Sequence, residues 1–225
     1  FGGFSTSGMA SSISTGEYAG WDDPRLPTLR ALRRRGFEAK SLISLWGEIG
    51  LTQKDISVSM QTLETLNSKN IDAYCERRFF VSEPIEIEIK GEDIASDAKI
   101  PRHPDGAIGG NREWVVGSKI FIQESDYTQG KLRLKDYADI QITGFDADIE
   151  GEGRSDGRPI IHWLPKEVSR EAKMFVPEGE EIRELVGFIE DFELNIGEVY
   201  QFERIGFAKL ERINGEVAEL VWLHG

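Results

Sequence analysis

Arginine and lysine are the residues whose placement could do chemistry in this sequence. From Pro24 to Lys40 the chain carries six basic residues (Arg25, Arg30, Arg33, Arg34, Arg35 and Lys40) against one acid, Glu38. Arg77 and Arg78 stand side by side farther on, and Arg133 and Lys135 sit two apart in the stretch Lys131, Leu132, Arg133, Leu134, Lys135. Two-residue spacing on an extended strand turns both cations to one face and both leucines to the other. The chemistry such groups offer is capture of anions: arginine holds a phosphate or a base edge through two parallel hydrogen bonds, and lysine acts as a point charge. The bland reading of Arg133 and Lys135 is the solvated face of an amphipathic strand. Arginines at the end of Leu29–Arg35 also suit a helix carboxy terminus, where each contributes about 0.3 to 1 kcal/mol against the macrodipole.

Covalent and metal chemistry find little support. His103, His162 and His224 are scattered without ligand spacing and are expected to be hydrogen-bonded structural or surface groups. The single cysteine, Cys75, excludes an internal disulfide and the paired-cysteine zinc motifs, and it fits a reducing, cytoplasmic setting. No phosphate-cradling glycine loop, serine nucleophile elbow or Cys/His pair is present. Carboxylates such as Glu178, Glu180 and Glu181 read as a solvated face. Asp22 and Asp23, just ahead of Pro24, read as turn or cap residues.

Positioning the cations requires elements, and the apolar period changes along the chain. Residues 1–20, rich in Gly, Ser and Thr, read as a loop. Thr28 and Gly36 bracket a short helix over Leu29–Arg35. Leu42, Leu45, Trp46 and Ile49 recur at helical spacing before Gly50. Thr52 and Asp55 are spaced as a capping box ahead of a stripe through Met60, Leu63, Leu66 and Ile71. Ile85, Ile87 and Ile89 then alternate with charged residues, a strand pattern. Further strands are expected over 113–123, 132–143, 159–164, 184–194, 199–212 and 216–223. Many short strands punctuated by glycines, without helical crossovers, predict β-barrels. The fold class expected is α+β, a short helical bundle followed by mainly antiparallel barrels. Trp21, Trp46 and Trp163 are expected to pack in the core or at hinges.

The run Gly20, Trp21, Asp22, Asp23, Pro24, Arg25 through to Gly36 closely resembles a segment shared by glutamyl- and glutaminyl-tRNA synthetases of class I. It follows the loop that carries their Met-Ser-Lys-Ser signature, and here Ser5, Thr6 and Ser7 stand at that loop, with Phe4 in place of the Met and Thr6 in place of the Lys. The resemblance continues in order through Gly50 to Asp55, Arg77 and Arg78, His103-Pro104-Asp105, Lys131 to Lys135, Ile161-His162-Trp163, and Tyr200 to Phe207. The ending from Gly206 to Gly215 is similar to the archaeal glutamyl branch.

The resemblance implies a layout: residues 1–20 as a remnant of the signature loop, 21–76 as a helical part that contacts the tRNA stem, and 77–225 as two barrels that read the anticodon. It carries over anticodon contacts at Arg77, Arg78, Asp105, Arg133, Lys135, Gln201 and Arg204, and stem contacts at Arg30, Arg33, Arg34 and Arg35. Asp105 stands where the glutaminyl branch has an amide and accepts hydrogen bonds without donating them. The parent enzyme would join glutamate to tRNA with ATP and magnesium. This chain, which opens on Phe1, would be a fragment with no cofactor and no metal of its own, inactive alone. Its partners would be glutamate tRNA, with glutamine tRNA open, and the catalytic domain of the same parent chain; DNA and membranes are not expected. Two alternatives stand beside this: the same part of a glutaminyl-tRNA synthetase, and a β-barrel module whose acidic face binds a protein.

Composition limits these readings without choosing among them. The 225 residues are 39% hydrophobic and 30% charged, enough for a buried core, with a formal net charge of -13. That total disfavours a polyanion, but the charge is uneven: from Val176 onward twelve acids face four bases.

Overall fold

The computed structural model describes residues 5–50, 58–90, 97–151, 153 and 156–225. Four helices come first: α1 (Thr6–Ser14), α2 (Leu29–Arg35), α3 (Ala39–Ile49) and α4 (Met60–Ile71). The strands are β1 (Arg77–Arg78), β2 (Phe80–Ser82), β3 (Pro84–Lys90), β4 (Asp97–Pro101), β5 (Asn111–Val115), β6 (Lys119–Gln123), β7 (Gly130–Leu134) and β8 (Asp139–Thr143). They continue with β9 (Asp146–Gly151), β10 (Ile160–Ile161), β11 (Trp163–Pro165), β12 (Ser169–Glu178), β13 (Glu181–Glu190), β14 (Val199–Phe202), β15 (Gly206–Asn214) and β16 (Val217–His224). Helices followed by a mainly antiparallel β region are the α+β class the sequence predicts.

Helix boundaries follow local chemistry. Thr28 Oγ1 accepts from Ala31 N at 3.0 Å, and Gly36 ends α2 in the left-handed region, φ 110°, which favours glycine. α4 is capped by Ser59, whose Oγ accepts from Thr62 N at 3.2 Å; the Thr52 and Asp55 capping box lies outside the described residues. The loop expected over residues 1–20 contains a helix instead. Ser5 caps it by accepting from Gly8 N at 3.0 Å, and Met9 and Ile13, four apart, pack against Tyr18, Leu26 and Ala31. One apolar pair among small polar residues is too faint a stripe to read. Trp46 also departs from expectation: it is 69% exposed beside the exposed Ile43, because α3 turns Ser41 and Leu45 inward.

Two seven-stranded sheets dominate. One runs β10-β7-β8-β9-β3-β6-β11, so its two edges, β10 and β11, are separated on the chain by His162 alone and the sheet curls into a nearly closed barrel. Its core holds Ile87, Ile120, Leu132, Ile140 and Trp163, each almost fully buried. The other runs β1-β14-β15-β16-β12-β13-β2, and Phe79 alone separates its edges. Phe80, Met174, Tyr200, Phe202 and Leu210 fill it. The rings of Phe79 and His162 stack at 4.7 Å and 11°, so the two seams meet. The helices pack Leu32, Leu45, Leu63 and Ile71 against Phe207 and Leu223 of the second sheet.

Several expected strands are divided. The run 113–123 breaks at 116–118: β5 pairs with β4 in a separate hairpin, while β6 joins the barrel. A Cβ at Gly117 would come within 2.5 to 2.7 Å of the Glu167 carboxyl, so the glycine gives that side chain room. The runs 132–143 and 199–212 are hairpins, turning near Asp136 (φ 55°) and Arg204 (φ 68°). β4, β9 and β12 were not expected as strands. In β12 the inward residues Ala172, Met174 and Val176 alternate with Glu171, Lys173 and the half-buried Phe175, which dilutes the pattern.

Candidate nucleic-acid interface

Along β7 and the residue that follows it the alternation is as anticipated: Leu132 and Leu134 are buried, and Arg133 and Lys135 turn outward, half-buried. Each cation is held by a carboxylate. Arg133 lies opposite Asp139 of β8 in the hairpin register and donates from Nε to Oδ1 at 2.5 Å and from Nη2 to Oδ2 at 3.2 Å. Lys135 Nζ donates to Glu203, whose Oε2 also stands 3.4 Å from His162 Nε2. Burial alone would raise the Glu203 carboxyl, but hydrogen bonds from His162 and Lys135 outweigh it and hold the group at about 2. Arg133, Lys135, Asp136, Tyr137, Asp139 and Ile160 line a slot of about 400 Å³ on the rim of the first barrel.

Arg204 reaches the same rim from the other sheet. It sits in a left-handed turn between β14 and β15 and donates to Asp126 at 2.6 Å and to the carbonyl of Ile160 at 2.7 Å. Ile160 borders the slot and is half exposed.

The remaining expected contacts lie deeper. Arg77 is paired in register with Gln201 and donates to Asp72 at 2.8 Å and to Cys75 O at 3.1 Å. Gln201 Oε1 is buried without a hydrogen-bond partner among the described residues. Arg78 is 1% exposed, held by Glu76 at 2.5 Å and lying 3.5 Å from Glu190, which Arg112 also contacts. Asp105 is exposed in the turn after His103, with its N–H donating to His103 Nδ1 at 3.2 Å. All three histidines are buried and hydrogen-bonded.

α2 divides its four arginines. Arg30 and Arg33 are exposed and form no ion pair among the described residues. Arg34 forms a fork with Glu211 at 2.5 and 2.9 Å. Arg35 is buried, donating to the carbonyls of Trp222 and Leu223, and desolvation lowers its guanidinium to about 10.

Sequence reasoning missed Asp139, Glu203 and Arg158, whose buried guanidinium stands 3.8 Å from Asp139 Oδ1. The first was within reach: with a left-handed residue at Asp136, the hairpin register puts Arg133 opposite Asp139. Glu203 and Arg158 come from distant parts of the chain and had no local signal. At the other end, α1 has no basic residue in its last turn or elsewhere, so Thr6–Ser14 offers no cation to a triphosphate. No group of three or more potential metal ligands occurs among the described residues.

Residues 75–156, which include the whole slot except Ile160, match the anticodon-binding domain of the tRNA synthetases class I (E and Q), and residues 5–73 match the catalytic domain of the same family. The chain belongs to the class I (E and Q) tRNA synthetases. Among its relatives, the glutamate–tRNA ligase of Methanosarcina mazei is 37% identical over 237 residues, which take in 100% of this chain and 40% of the relative. That of Pyrococcus abyssi is 36% identical, over 94% of this chain and 39% of the relative. That of Archaeoglobus fulgidus is 37% identical, over 96% and 39%. The chain thus spans about 40% of the length of these curated relatives. In the synthetase chain α1 to α4 fall within the catalytic-domain match and the Arg133 slot within the anticodon-binding match, while Gln201 and Arg204 follow it.

Proposed function

We propose that this chain is the tRNA-reading portion of a glutamate–tRNA ligase, gripping the anticodon at the rim where the two sheets meet. The observation that carries the reading is the slot itself: two cations from one strand, a third at its border, and a half-exposed Ile160, all within or beside the anticodon-binding domain. Unstacked RNA bases are read one at a time by such rims, with arginine donating to acceptor edges and apolar groups lying against base faces. Arg133, Lys135 and Arg204 are the contacts this geometry favours, with Asp105 and Gln201 at a second group nearer the helices. Arg77 and Arg78, both buried in ion pairs, support the shape of the rim. Arg30 and Arg33 present the open cationic face that a stem phosphate backbone would meet.

The division is a remnant of the signature loop over 1–20, a stem-contact part over 21–76 and the anticodon-reading part over 77–225. Glutamate is favoured over glutamine because the relatives cited above are glutamate–tRNA ligases. ATP and magnesium belong to the intact ligase; Thr6 at the signature position and the absence of a cation in α1 do not fit a triphosphate grip on this chain. The setting is the cytoplasm, where tRNA is charged, and no helix among the described residues is long and apolar enough to cross a membrane.

The test is binding of glutamate tRNA transcripts with native and exchanged anticodons, at fixed salt, to the wild-type chain and Arg133→Ala. The native transcript should bind more tightly than the exchanged ones, and Arg133→Ala should weaken it by about 1 to 3 kcal/mol while narrowing that difference. Aminoacylation with glutamate, ATP and tRNA should yield no product from this chain alone. Equal affinity for all transcripts, or measurable turnover, overturns the reading.

A further inference from the structure

We infer that Asp139 is a positioning residue, whose buried carboxylate orients the Arg133 guanidinium so that it meets a nucleotide in one direction only. The inference rests on the reading of the slot as an RNA site.

The geometry is that of a fork. Nε and Nη2 of Arg133 address the two oxygens of Asp139 at 2.5 and 3.2 Å, and two parallel bonds fix the plane of a guanidinium where a single bond leaves it free to swing. Lys135 shows the contrast: it meets Glu203 through one ammonium, which carries no plane.

The carboxylate is itself immobilised. Asp139 is fully buried, while the Arg133 side chain is about a quarter exposed and borders the slot. Behind it, Arg158 Nε lies 3.8 Å from Asp139 Oδ1, and Arg158, 1% exposed at its side chain, is tied to Asp156 at 2.5 Å and Glu150 at 3.0 Å. Asp139 therefore stands between two guanidinium groups, one anchored inside and one at the rim. A register shift in the β8 and β9 pairing falls between Asp139 and Ile140, and irregularities of this kind re-aim side chains. Stability is a poor reason for the arrangement, because taking a carboxylate out of water offsets most of what an ion pair contributes. Orientation is what the buried fork supplies.

The experiment compares the wild-type chain with Asp139→Asn, Arg133→Ala, Arg133→Lys and the double variant Asp139→Asn/Arg133→Ala. The readout is the ratio of affinities for glutamate tRNA transcripts with native and exchanged anticodons. Asparagine offers one acceptor and turns a donor toward the other guanidinium nitrogen, so Asp139→Asn should lower the ratio by about tenfold. The double variant should lose no more than Arg133→Ala alone. Arg133→Lys, which keeps the charge and cannot fork, should lose the ratio as well. A merely structural Asp139 would reduce all affinities together, leave the ratio intact and lower the unfolding temperature.

An unchanged ratio in Asp139→Asn, with a lowered one in Arg133→Ala, overturns the inference and leaves the RNA reading standing. Absence of any anticodon preference in the wild type, or no effect of Arg133→Ala, overturns both. Should Asp139→Asn fail to fold, Arg133→Lys decides: retained discrimination shows that the fork is not required.

Discussion

On α2, Arg33 points into solvent, while Arg35, two positions on, passes inward to the carbonyls of Trp222 and Leu223 and lies against the rings of Phe37 and Trp222. Sequence alone gives these neighbours one role; burial gives them two. Arg35→Met keeps the volume but leaves both carbonyls without that donor, so it should lower stability by about 1 to 3 kcal/mol and leave tRNA affinity of the folded chain unchanged, as read by thermal unfolding and transcript binding. His224 is a second residue whose environment decides its behaviour. Asn67 Oδ1 accepts from Glu38 N and Ser41 Oγ, which turns the Asn67 amide nitrogen to His224 Nε2 at 3.1 Å and requires a neutral imidazole. Burial, with Arg35 nearby adding to it, lowers the His224 pKa from 6.5 to about 4. The folded state therefore binds fewer protons than the unfolded one between those values. Stability should be full above pH 6.5 and fall as pH drops toward 4, by about 3 kcal/mol in all. Urea unfolding across that range should show the slope, and His224→Gln, which retains an acceptor for Asn67, should remove that part of it.

At the scale of elements, Arg78 from the short edge strand β1, Glu190 at the end of β13 and Arg112 from β5 form a buried cluster where the two sheets meet. Glu190 is fully buried and serves both arginines, so Glu190→Gln leaves two guanidinium groups sharing a neutral amide. A loss of about 3 to 5 kcal/mol is expected, measured as a shifted denaturation midpoint. A change near zero would mean that water replaces the carboxylate. The elements that were legible in the sequence are those whose chemistry is local. Thr28 and Gly36 bracket α2, and the isoleucines of β3 alternate without interruption. What could not be read depends on distant partners. Nothing near Phe79 or His162 says that a strand divides there, because each half takes its hydrogen bonds from a different neighbour: β1 from β14 and β2 from β13, β10 from β7 and β11 from β6. For the site, the outward face of β7 was legible and the forked partner of Arg133 followed only from the hairpin register. The burial of Arg35, Arg77 and Arg78 was invisible, since a run of arginines reads the same whether it meets solvent or carboxylates.

For the molecule as a whole, a net charge of -13 and an exposed cationic α2 face make binding to a polyanion strongly dependent on ions. If the slot cations neutralise phosphates of the single-stranded anticodon loop, the logarithm of affinity should fall with the logarithm of salt by about 0.7 for each one neutralised, and Arg30 and Arg33 on the stem should steepen it further. Titrations at several salt concentrations measure it, and a flat response would favour a protein partner for the acidic face. The seam at Phe79 has a separate consequence, for synthesis. The first barrel, residues 84–165, is inserted in the chain between β1 and β2, which open the second sheet, and β12 to β16, which complete it. On a ribosome the first barrel has all its strands once Pro165 emerges. The opening strands of the second sheet wait for β13 and β14, and its final strand ends about 60 residues after Pro165. At about 5 to 20 residues per second that delay is roughly 3 to 12 s, during which β2 lacks its β13 partner and Phe80 lacks the core it is buried in. Phe79 and Val81 are buried in the core of the first barrel, with the Phe79 ring stacked on His162, so the segment that opens the second sheet already has a place to pack before the last strands are made.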